Sequence, residues 1–361
     1  MKKILYIAAH RKDRAPNQRY RFEQFMDFLY AKGFECHISS IIPEKEDTYL
    51  YAPGHLFKKF FTIFIKHKFL RFKDLFSLHN YDIILIAREA LLTRSTFFEH
   101  RFRKSNARIV FDFDDAIWLL DVSPANQKYG WLKSPKKTSV LISLADHVIA
   151  GNKYLSDYAL QFNPNTSIIP TTVDTNIYKP SDSIQKNKKV CIGWSGSITT
   201  IPHFEMLIPV LVRLKEYYGE EIEFKVIGDK TFHNTALGIQ GIAWTKDSEI
   251  PELNKIDIGI MPLPDTEWAK GKCGLKGLVY MSMGIPAVMS PVGVNTEIID
   301  DGVNGFLAAT DEEWLQKLSL LIDSPELRSK IGANGKQKVI HEYSMDAWKE
   351  RYLSIFQKLT E

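Results

Sequence analysis

The stretch from Lys270 to Phe306, KGKCGLKGLVYMSMGIPAVMSPVGVNTEIIDDGVNGF, carries the clearest signals of secondary structure in the sequence. It predicts a glycine-rich loop, an apolar helix, a short strand and a further turn. Gly284 and Pro286 end the predicted helix, and Ala287 to Met289 form the predicted buried strand. A helix that leads into a buried strand is typical of a parallel α/β sheet.

The first turn of this helix is basic, although a helix N-terminus already carries partial positive charge. Lys270, Lys272 and Lys276 stand where acidic residues are expected. Gly271 and Gly274 would let the backbone come close to a ligand. Lysines in a glycine-rich loop at a helix N-terminus predict a phosphate or diphosphate site. The alternative is a solvated basic loop.

Length and composition predict a soluble protein of two domains, with 361 residues, 45% of them hydrophobic and 25% charged. A net charge of +4 does not predict nucleic-acid binding. The N-terminus has only six apolar residues before charge returns, which predicts a strand and not a signal peptide.

The cysteines are sparse and far apart, which favours a reducing, cytoplasmic setting and gives no metal-ligand spacing. They are Cys36, Cys191 and Cys273. Cys273 lies in the lysine loop, where the lysines could activate its thiol. We favour the alternative that Cys273 is a small packing residue.

Strands and helices alternate along the chain, which predicts two consecutive doubly wound domains. We expect them at residues 1–180 and 188–344, with a polar linker at 179–188 and the last helix, 345–361, joining the first domain. Ligands would then bind at the carboxyl ends of the strands, in a cleft. The predicted strands are Ile4–Ala9, Glu35–Ser40, Asp82–Ala87, Arg108–Phe113, His147–Ala150, Ser167–Ile169, Lys189–Trp194, Glu223–Ile227, Gly241–Trp244, Asp257–Met261 and Ala287–Met289.

Three acidic residues follow the strand Arg108–Phe113 in the sequence FDFDDAIW. Asp112, Asp114 and Asp115 would lie at the carboxyl end of that strand, where carboxylates act as acid or base or bind a metal. The alternative is that one of them caps the following helix. We expect a functional role for at least one, and a metal is the less favoured role.

Two further groups of polar residues follow predicted strands. The turn at Ser195, Gly196 and Ser197 predicts an anion-facing loop opposite the lysines, because the glycine spacing of a dinucleotide site is absent. A helix is predicted from Pro16 to Lys32, and its Asn17, Arg19 and Arg21 are candidates for contact with an acidic or phosphorylated substrate. The alternative for the arginines is an ordinary exposed helix face.

Residues 56–76, LFKKFFTIFIKHKFLRFKDLF, interleave six basic residues with seven phenylalanines. This pattern is typical of a helix on an anionic membrane surface. It is equally typical of a helix docked on a sheet, with lysine stems lying over apolar surface. Stacking on nucleic acid has no other support in the sequence.

The chain resembles the family-4 glycosyltransferases, a large retaining family with the GT-B fold. The segments that carry the resemblance are ADHVIAGNKYLSDYAL from Ala145, IIPTTVDTNIYKP from Ile168, MSMGIPAVMSPVGVNTEIIDDGVNGFL from Met281 and SPELRSKIGANGKQKVIHEYSMDAWKERYLSIF from Ser324. They are long, occur in the family's order and extend over much of the chain. The resemblance implies two Rossmann-like domains, of which the second binds a nucleotide-diphosphate sugar and the first presents the acceptor.

The sequence departs from the family pattern at the donor site. The family's pair of glutamates, with seven residues between them, falls at Gly271 and Val279, so both carboxylates are missing. The family's arginine and lysine near the first strand of the second domain are replaced by Ser195 to Thr199. The resemblance leaves Lys272 and Lys276 as the groups that take up the diphosphate charge, and it aligns Asp114 with the family's acceptor-side histidine.

We therefore predict a nucleotide-sugar-dependent retaining glycosyltransferase of cell-envelope polysaccharide synthesis, cytoplasmic or peripheral on the inner face of the membrane. Its partners would be a nucleotide sugar and a glycan or lipid-linked acceptor, without a metal or a resident cofactor. The predicted catalytic residues are Asp114, Lys272 and Lys276; the donor-binding residues are Ser195, Gly196, Ser197, Gly271, Cys273 and Gly274; and the acceptor-side residues are Asn17, Arg19, Arg21, Asp112 and Asp115. The alternatives are a non-catalytic GT-B module that binds a glycan or a protein, and a nucleotide-sugar epimerase.

Overall fold

The computed structural model describes residues 1–50, 54–119, 134–181 and 188–361. Part of the predicted linker, residues 182–187, lies outside the described residues. The chain divides into two compact units. The first consists of Met1–Thr171 and Trp348–Glu361, and the second of Thr172–Ala347.

The first unit is built on a six-stranded sheet in the order β2-β1-β3-β4-β5-β6. Neighbouring strands are parallel throughout this sheet. The strands are apolar because the centre of such a sheet is buried on both faces; β3, for example, is buried along its whole length. Their bounds are β1 Lys2–His10, β2 Phe34–Ile42, β3 Ile83–Ala87, β4 Arg108–Phe113, β5 His147–Ala150 and β6 Thr166–Ile168.

Helices connect the strands of the first unit, and the last helix of the chain, most of which belongs to this unit, packs Tyr352 against Phe25 with ring centroids 4.4 Å apart. The α-helices are α1 Pro16–Arg19, α2 Met26–Ala31, α3 Glu44–Leu50, α4 Leu56–Phe61, α5 His67–Ser77, α6 Phe97–Arg103, α7 Pro135–Leu144 and α8 Lys153–Leu160. Shorter 3-10 or π turns lie at Glu23–Phe25, Thr62–Lys66 and Leu78–Asn80.

The second unit has a six-stranded parallel sheet in the order β11-β8-β7-β12-β13-β14, and a small antiparallel pair, β9 with β10. The core lies between this sheet and helices that include Leu211 and Trp314. The strands are β7 Val190–Ser195, β8 Ile222–Gly228, β9 His233–Asn234, β10 Ile239–Gln240, β11 Ile242–Ala243, β12 Ile258–Met261, β13 Ala287–Met289 and β14 Phe306–Leu307.

Local sequence signals set several helix ends in this unit. Thr310 and Glu313, for example, form a reciprocal capping box at the start of a thirteen-residue helix. The α-helices are α9 Ile201–Glu205, α10 Ile208–Tyr218, α11 Lys246–Leu253, α12 Glu267–Lys270, α13 Leu275–Ser282, α14 Asn295–Ile298, α15 Asp311–Asp323 and α16 Pro325–Lys338. The last helix, α17 Met345–Thr360, begins in this unit and has most of its residues in the first. Shorter turns of helix are Ile198–Thr200, Gly219–Glu221 and Val339–Tyr343.

The predicted fold class, α/β with two doubly wound parallel sheets, is confirmed. One predicted element is wrong: the single helix from Pro16 to Lys32 is broken into α1, a 3-10 turn and α2. At the break, Arg21 and Phe22 are both buried in the unit. Within the described residues, no helix is both long and apolar enough to cross a bilayer.

Candidate functional site

The lysine loop of the second unit, residues 270–276, precedes α13. Gly274 has φ +68° and stands directly before the helix. A Cβ atom there would lie 2.2 Å from Ile298 of α14, so both the conformation and the space require glycine. Gly271 and Cys273 are buried in the same loop, and the Cys273 thiol lies 3.9 Å from the Gly271 carbonyl oxygen. The glycines thus hold the loop close against α14.

Lys270 differs from the two other lysines, and its predicted place in the first turn of α13 is wrong. Thr266 caps a separate short helix, α12, and Lys270 lies in the last turn of that helix. Its ammonium pairs with Glu267 at 2.7 Å. A lysine at a helix C-terminus complements the dipole. Lys270 therefore needs no bound anion to offset its charge.

Lys276, in the first turn of α13, reaches the end of β7. Its Nζ lies 5.4 Å from the ring centroid of Trp194, which is fully buried. A Cβ atom on Gly196 would lie 2.8 Å from the Lys276 Cε. The Ser195 N–H donates to the Tyr280 hydroxyl of α13 at 2.7 Å. The structure therefore brings the turn after β7 and the lysine helix together.

Backbone packing fixes the turn after β7. The Gly196 N–H donates to the Ile227 carbonyl at 2.9 Å. A Cβ atom on Gly228, at the end of β8, would lie only 1.7 Å from the Gly196 oxygen. Ser197 caps no helix with its side chain; its hydroxyl lies 2.9 Å from that of Thr199 and is exposed. Small residues are required because two chain segments meet here.

His203 in α9 is a candidate site residue that the sequence analysis missed. Burial, and then the charges of Lys276 and Lys272, lower the pKa of this imidazole to about 4. Its Nδ1 atom is buried, and no described group accepts or donates a hydrogen bond to it. Lys272 lies near Trp268, with its Nζ 5.2 Å from the ring centroid. Positive charge is thus concentrated at the N-terminus of α13.

Two other buried polar atoms of this region are without a hydrogen-bond partner among the described residues. They are the Trp194 Nε1 and the Asn295 Oδ1. Asn295 lies in α14 beside the lysine loop, since its Oδ1 would be 3.5 Å from a Cβ atom on Gly274. Buried polar groups are nearly always satisfied in proteins. A bound polar ligand would supply the missing partners.

The two positions that the resemblance aligns with the glutamate pair are Gly271 and Val279. Val279 is buried on α13, and Gly271 has no side chain. Across the described parts of the chain, no three His, Cys, Asp or Glu side chains are grouped as they would be to hold a metal ion.

In the first unit, Arg21 and Asp112 form a buried ion pair. The Arg21 Nη2 lies 2.5 Å from the Asp112 Oδ1, and the guanidinium also donates to the Ile169 carbonyl. Burial raises the pKa of Asp112, and Arg21 opposes that shift. Both side chains were predicted to face the acceptor, but the structure places them inside the unit, where Arg21, which follows α1, connects Asp112 in β4 with the Ile169 carbonyl after β6.

Arg88, also missed from the sequence, organises Asp114 and Asp115. It follows β3, has φ +63° and donates its N–H to the Asp112 carbonyl at 2.9 Å. Its guanidinium donates to Asp114 at 2.8 Å and to Asp115. Burial would lower the pKa of Arg88, but the two carboxylates raise it overall. A left-handed non-glycine residue at a strand end is typical of functional sites.

Asn17 and Arg19 lie at the same edge of the first sheet. Gln18 between them is buried, and its side-chain amide exchanges two hydrogen bonds of 2.9 Å with the backbone of His10, the last residue of β1. Asn17 and Arg19 are half-buried. Gln18 therefore fixes α1 at the carboxyl end of β1, beside β3 and Arg88.

Comparisons with known proteins bear on both units. Residues 189–324 match the family model described as glycosyl transferases group 1. A segment of 86 residues is 33% identical to trehalose synthase from Pyrococcus horikoshii; it spans 24% of this chain and 21% of that enzyme.

Similar solved structures extend over nearly the whole chain. Sucrose-phosphate synthase from Thermosynechococcus elongatus has a TM-score of 0.72 at 13% identity, over 99% of each chain. HepE from Anabaena, solved in complex with UDP-glucose, has a TM-score of 0.71 at 16% identity, over 99% of this chain and all of that one. The chain therefore has the GT-B fold, and its residues 189–324 are similar to the glycosyl transferases of group 1.

Proposed function

We propose that this protein is a nucleotide-sugar-dependent glycosyltransferase that transfers a sugar with retention of configuration. The observation that carries the proposal is the approach of Lys276, in the first turn of α13, to the Gly196 turn, with Lys272 in the loop before that helix. The group 1 domain match at residues 189–324 and the UDP-glucose held by the similar Anabaena protein support it.

The chemistry proposed for the second unit is stabilisation of the departing nucleotide diphosphate. Charge develops on that group as the glycosidic bond to the donor breaks, and fixed cations and N–H groups aimed at developing charge lower the barrier. Lys272, Lys276 and the N–H groups around Cys273 and Gly274 would supply them. His203 is neutral at pH 7, because its pKa is about 4, and would act as a hydrogen-bonding group.

We propose the carboxyl edge of the first sheet as the acceptor side. The Arg88 guanidinium binds both Asp114 and Asp115 and leaves the group with net negative charge, so these carboxylates are held ready to accept hydrogen bonds from sugar hydroxyl groups. In a front-face retaining reaction the leaving diphosphate helps to take the acceptor proton. Asp114 would then orient the acceptor, and the protein would need no nucleophile, metal or resident cofactor.

The finer assignments belong to the same proposal. The acceptor is a glycan or a lipid-linked saccharide of the cell envelope, and the enzyme works on the cytoplasmic side, at or near the membrane. The second candidate is a non-catalytic GT-B module that binds a glycan or a partner protein. The absence of carboxylates at Gly271 and Val279 favours this candidate.

A thermal-shift panel of UDP, GDP, ADP, CMP and their sugar conjugates tests the proposal. A ligand at 100 times its Kd stabilises the folded state by about 2.7 kcal/mol, so we expect one nucleotide class to raise the Tm by several degrees. Release of the nucleotide diphosphate in the presence of an acceptor extract would then establish transfer. Binding without any release would favour the non-catalytic module, and no shift with any nucleotide would contradict the proposed donor site.

A further inference from the structure

The helical stretch from Leu56 to Ser77, in the first unit, turns its phenylalanines outward. It runs without a break through α4, a π turn and α5. Phe57 and Phe76 are 85% and 80% exposed. The large apolar side chains exposed along this stretch are Phe57, Phe60, Phe61, Ile65, Phe69, Phe72 and Phe76. Their spacing of three and four residues places them on one side of a helix.

The opposite side of the same stretch is polar and buried, with Thr62, His67 and Arg71 inside the unit. Thr62 shares a hydrogen bond of 2.8 Å with the Tyr49 hydroxyl. His67 contacts Glu46 at 3.0 Å through its Nε2. A surface helix normally buries its apolar side and exposes its polar side. This stretch is therefore an inverted amphipathic helix, held by polar contacts.

Arg71 attaches the inverted helix to the first sheet. Its guanidinium donates to the carbonyl oxygens of Ala8 in β1 at 2.7 Å, Ala90 after β3 at 2.8 Å and Ser39 in β2 at 3.1 Å. It also pairs with Asp74 at 2.9 Å. Charge-assisted bonds to several strands fix both the position and the rotation of the helix. The outward orientation of the phenylalanines is therefore built into the fold.

The apolar surface continues onto α6. Phe97 is 42% exposed and its ring centroid lies 6.0 Å from that of Phe72. The Arg101 guanidinium lies 5.1 Å from the centre of the Phe97 ring. Exposed apolar patches of this kind mark sites of contact with a protein or a membrane.

Positive charge borders the phenylalanines. The ammonium groups of Lys68 and Lys73 lie 5.8 Å and 5.1 Å from the ring centroids of Phe64 and Phe69. Asp74 is the single acidic residue between positions 56 and 77, and Arg71 and Ser39 bind its carboxylate. A second copy placed against this face would bring lysines against lysines, which is unfavourable.

We propose that this face docks on an anionic lipid bilayer, with the helix lying in the interface between headgroups and acyl chains. Phenylalanines enter the acyl boundary and lysines contact the anionic headgroups, as interfacial helices do. The docking stands independently of the proposed function. What the docking would do for the enzyme rests on the proposed function. Arg71 attaches the helix to β1 and to the segment after β3, so a bilayer bound to the helix would lie near the sheet edge that carries Arg88, where a lipid-linked acceptor would arrive.

Co-sedimentation of the full chain with vesicles tests the proposal. We expect binding to vesicles of phosphatidylglycerol and phosphatidylcholine in equal parts, weaker binding at high salt, and little binding to phosphatidylcholine alone. The double variant Lys68→Gln with Lys73→Gln should bind about 30-fold more weakly, since each lysine near an anionic surface contributes about fivefold. The matched control, Lys230→Gln with Lys330→Gln on the second unit, should bind as the unaltered chain does.

A second pair of variants tests the apolar component. Phe57→Ser with Phe76→Ser should reduce binding at least tenfold, because two exposed rings no longer enter the bilayer. Tyr217→Ser with Ile177→Ser, both exposed on the second unit, is the matched control and should not change it. Exposed positions of this kind tolerate substitution, and circular dichroism melting curves would check that every variant folds.

Three results would overturn the proposal. They are no binding to the anionic vesicles at low salt, unchanged binding of the Phe57→Ser with Phe76→Ser variant, and a solution dimer that the same variant converts to monomer. The last would make the face a self-association surface. Thermal shifts with nucleotides, measured without vesicles, report on the donor site alone. Failure of the docking proposal and failure of the proposed function are therefore distinguishable.

Discussion

The carboxyl edges of the two sheets differ in the arrangement of their charged side chains. In the first unit two arginines bind carboxylates: Arg21 binds Asp112, and Arg88 binds Asp114 and Asp115. In the second unit burial, and then the charges of two lysines, lower the pKa of one histidine. Two arginines against three carboxylates leave the first edge with net negative charge, which suits hydrogen-bond donors such as sugar hydroxyl groups, whereas accumulated positive charge suits an anion. The contrast supports the proposed assignment of the acceptor to the first unit and of the diphosphate to the second.

Removal of the buried ion pair in the first unit should have the largest effect on stability. Arg21→Ala leaves Asp112 buried without its cation, which costs about 3–5 kcal/mol. We expect a loss of that size in the free energy of unfolding, measured by urea titration. The control is Arg103→Ala, which removes an exposed pair with Asp146 and should cost less than about 1 kcal/mol. Equal losses in the two variants would remove the argument that Arg21 and Asp112 organise the first unit.

Removal of two lysine charges from the second unit tests the proposed diphosphate site. Lys272→Ala with Lys276→Ala should weaken binding of the nucleotide diphosphate at least about 100-fold, since a hydrogen bond to a charged group contributes about 1.5–3 kcal/mol. Isothermal titration calorimetry gives the Kd. Lys270→Ala is the matched control, because Lys270 pairs with Glu267, and it should bind normally. Unchanged affinity in the double variant would refute the donor-site assignment.

The proposed acceptor side predicts a smaller and more selective effect. Asp114→Asn keeps the shape of the side chain but releases one of the carboxylates that hold Arg88. We expect kcat for transfer to fall about 10- to 100-fold through loss of positioning, with the Kd of the donor unchanged. Steady-state kinetics and calorimetry separate the two quantities. A change in the Kd of the donor with unchanged kcat would contradict the assignment of Asp114 to the acceptor side.

The smallest effect concerns the ionisation of His203. Its folded-state pKa is about 4 and the ordinary value is 6.5, so between these pH values the unfolded chain binds more protons. Stability contributed by this group is therefore lost as the pH falls through that window. Chemical unfolding of His203→Gln should show a shallower pH dependence there than the unaltered chain.

A bound diphosphate would oppose the two lysine charges, so it should raise the pKa of His203. An NMR titration of the imidazole with and without the nucleotide measures this shift. A His203 pKa that is the same in both samples would argue against a phosphate beside the lysines.

Much of the fold could be predicted from the sequence because parallel strands are continuous apolar runs. Strands β4, β5 and β13 lie where the sequence placed them. The approach of Lys276 to Gly196 was also predictable, because loops at the carboxyl ends of neighbouring strands share one edge. Short elements such as β14, with two residues, carry no periodic signal and were missed.

The contacts of charged side chains in the candidate site could not be predicted from the sequence. Nothing local shows that Arg21 turns inward, or that Arg88 adopts φ +63° and binds acids 26 and 27 residues further along. His203 is 69 and 73 residues from the lysines that alter its pKa. Such pairs form through tertiary packing, and a single sequence lists the charges without their distances.

The contact between Gly196 and Gly228 restricts how this enzyme can change its donor. Even a methyl group at Gly228 would lie 1.7 Å from the opposing carbonyl oxygen, and one at Gly196 would lie 2.5 Å from the Trp194 ring. Neither position is open to side-chain variation, so substrate preference has to evolve on the surrounding residues. In a saturation library the two glycines should be intolerant to every replacement, and variants with altered donor choice should map elsewhere in the loop.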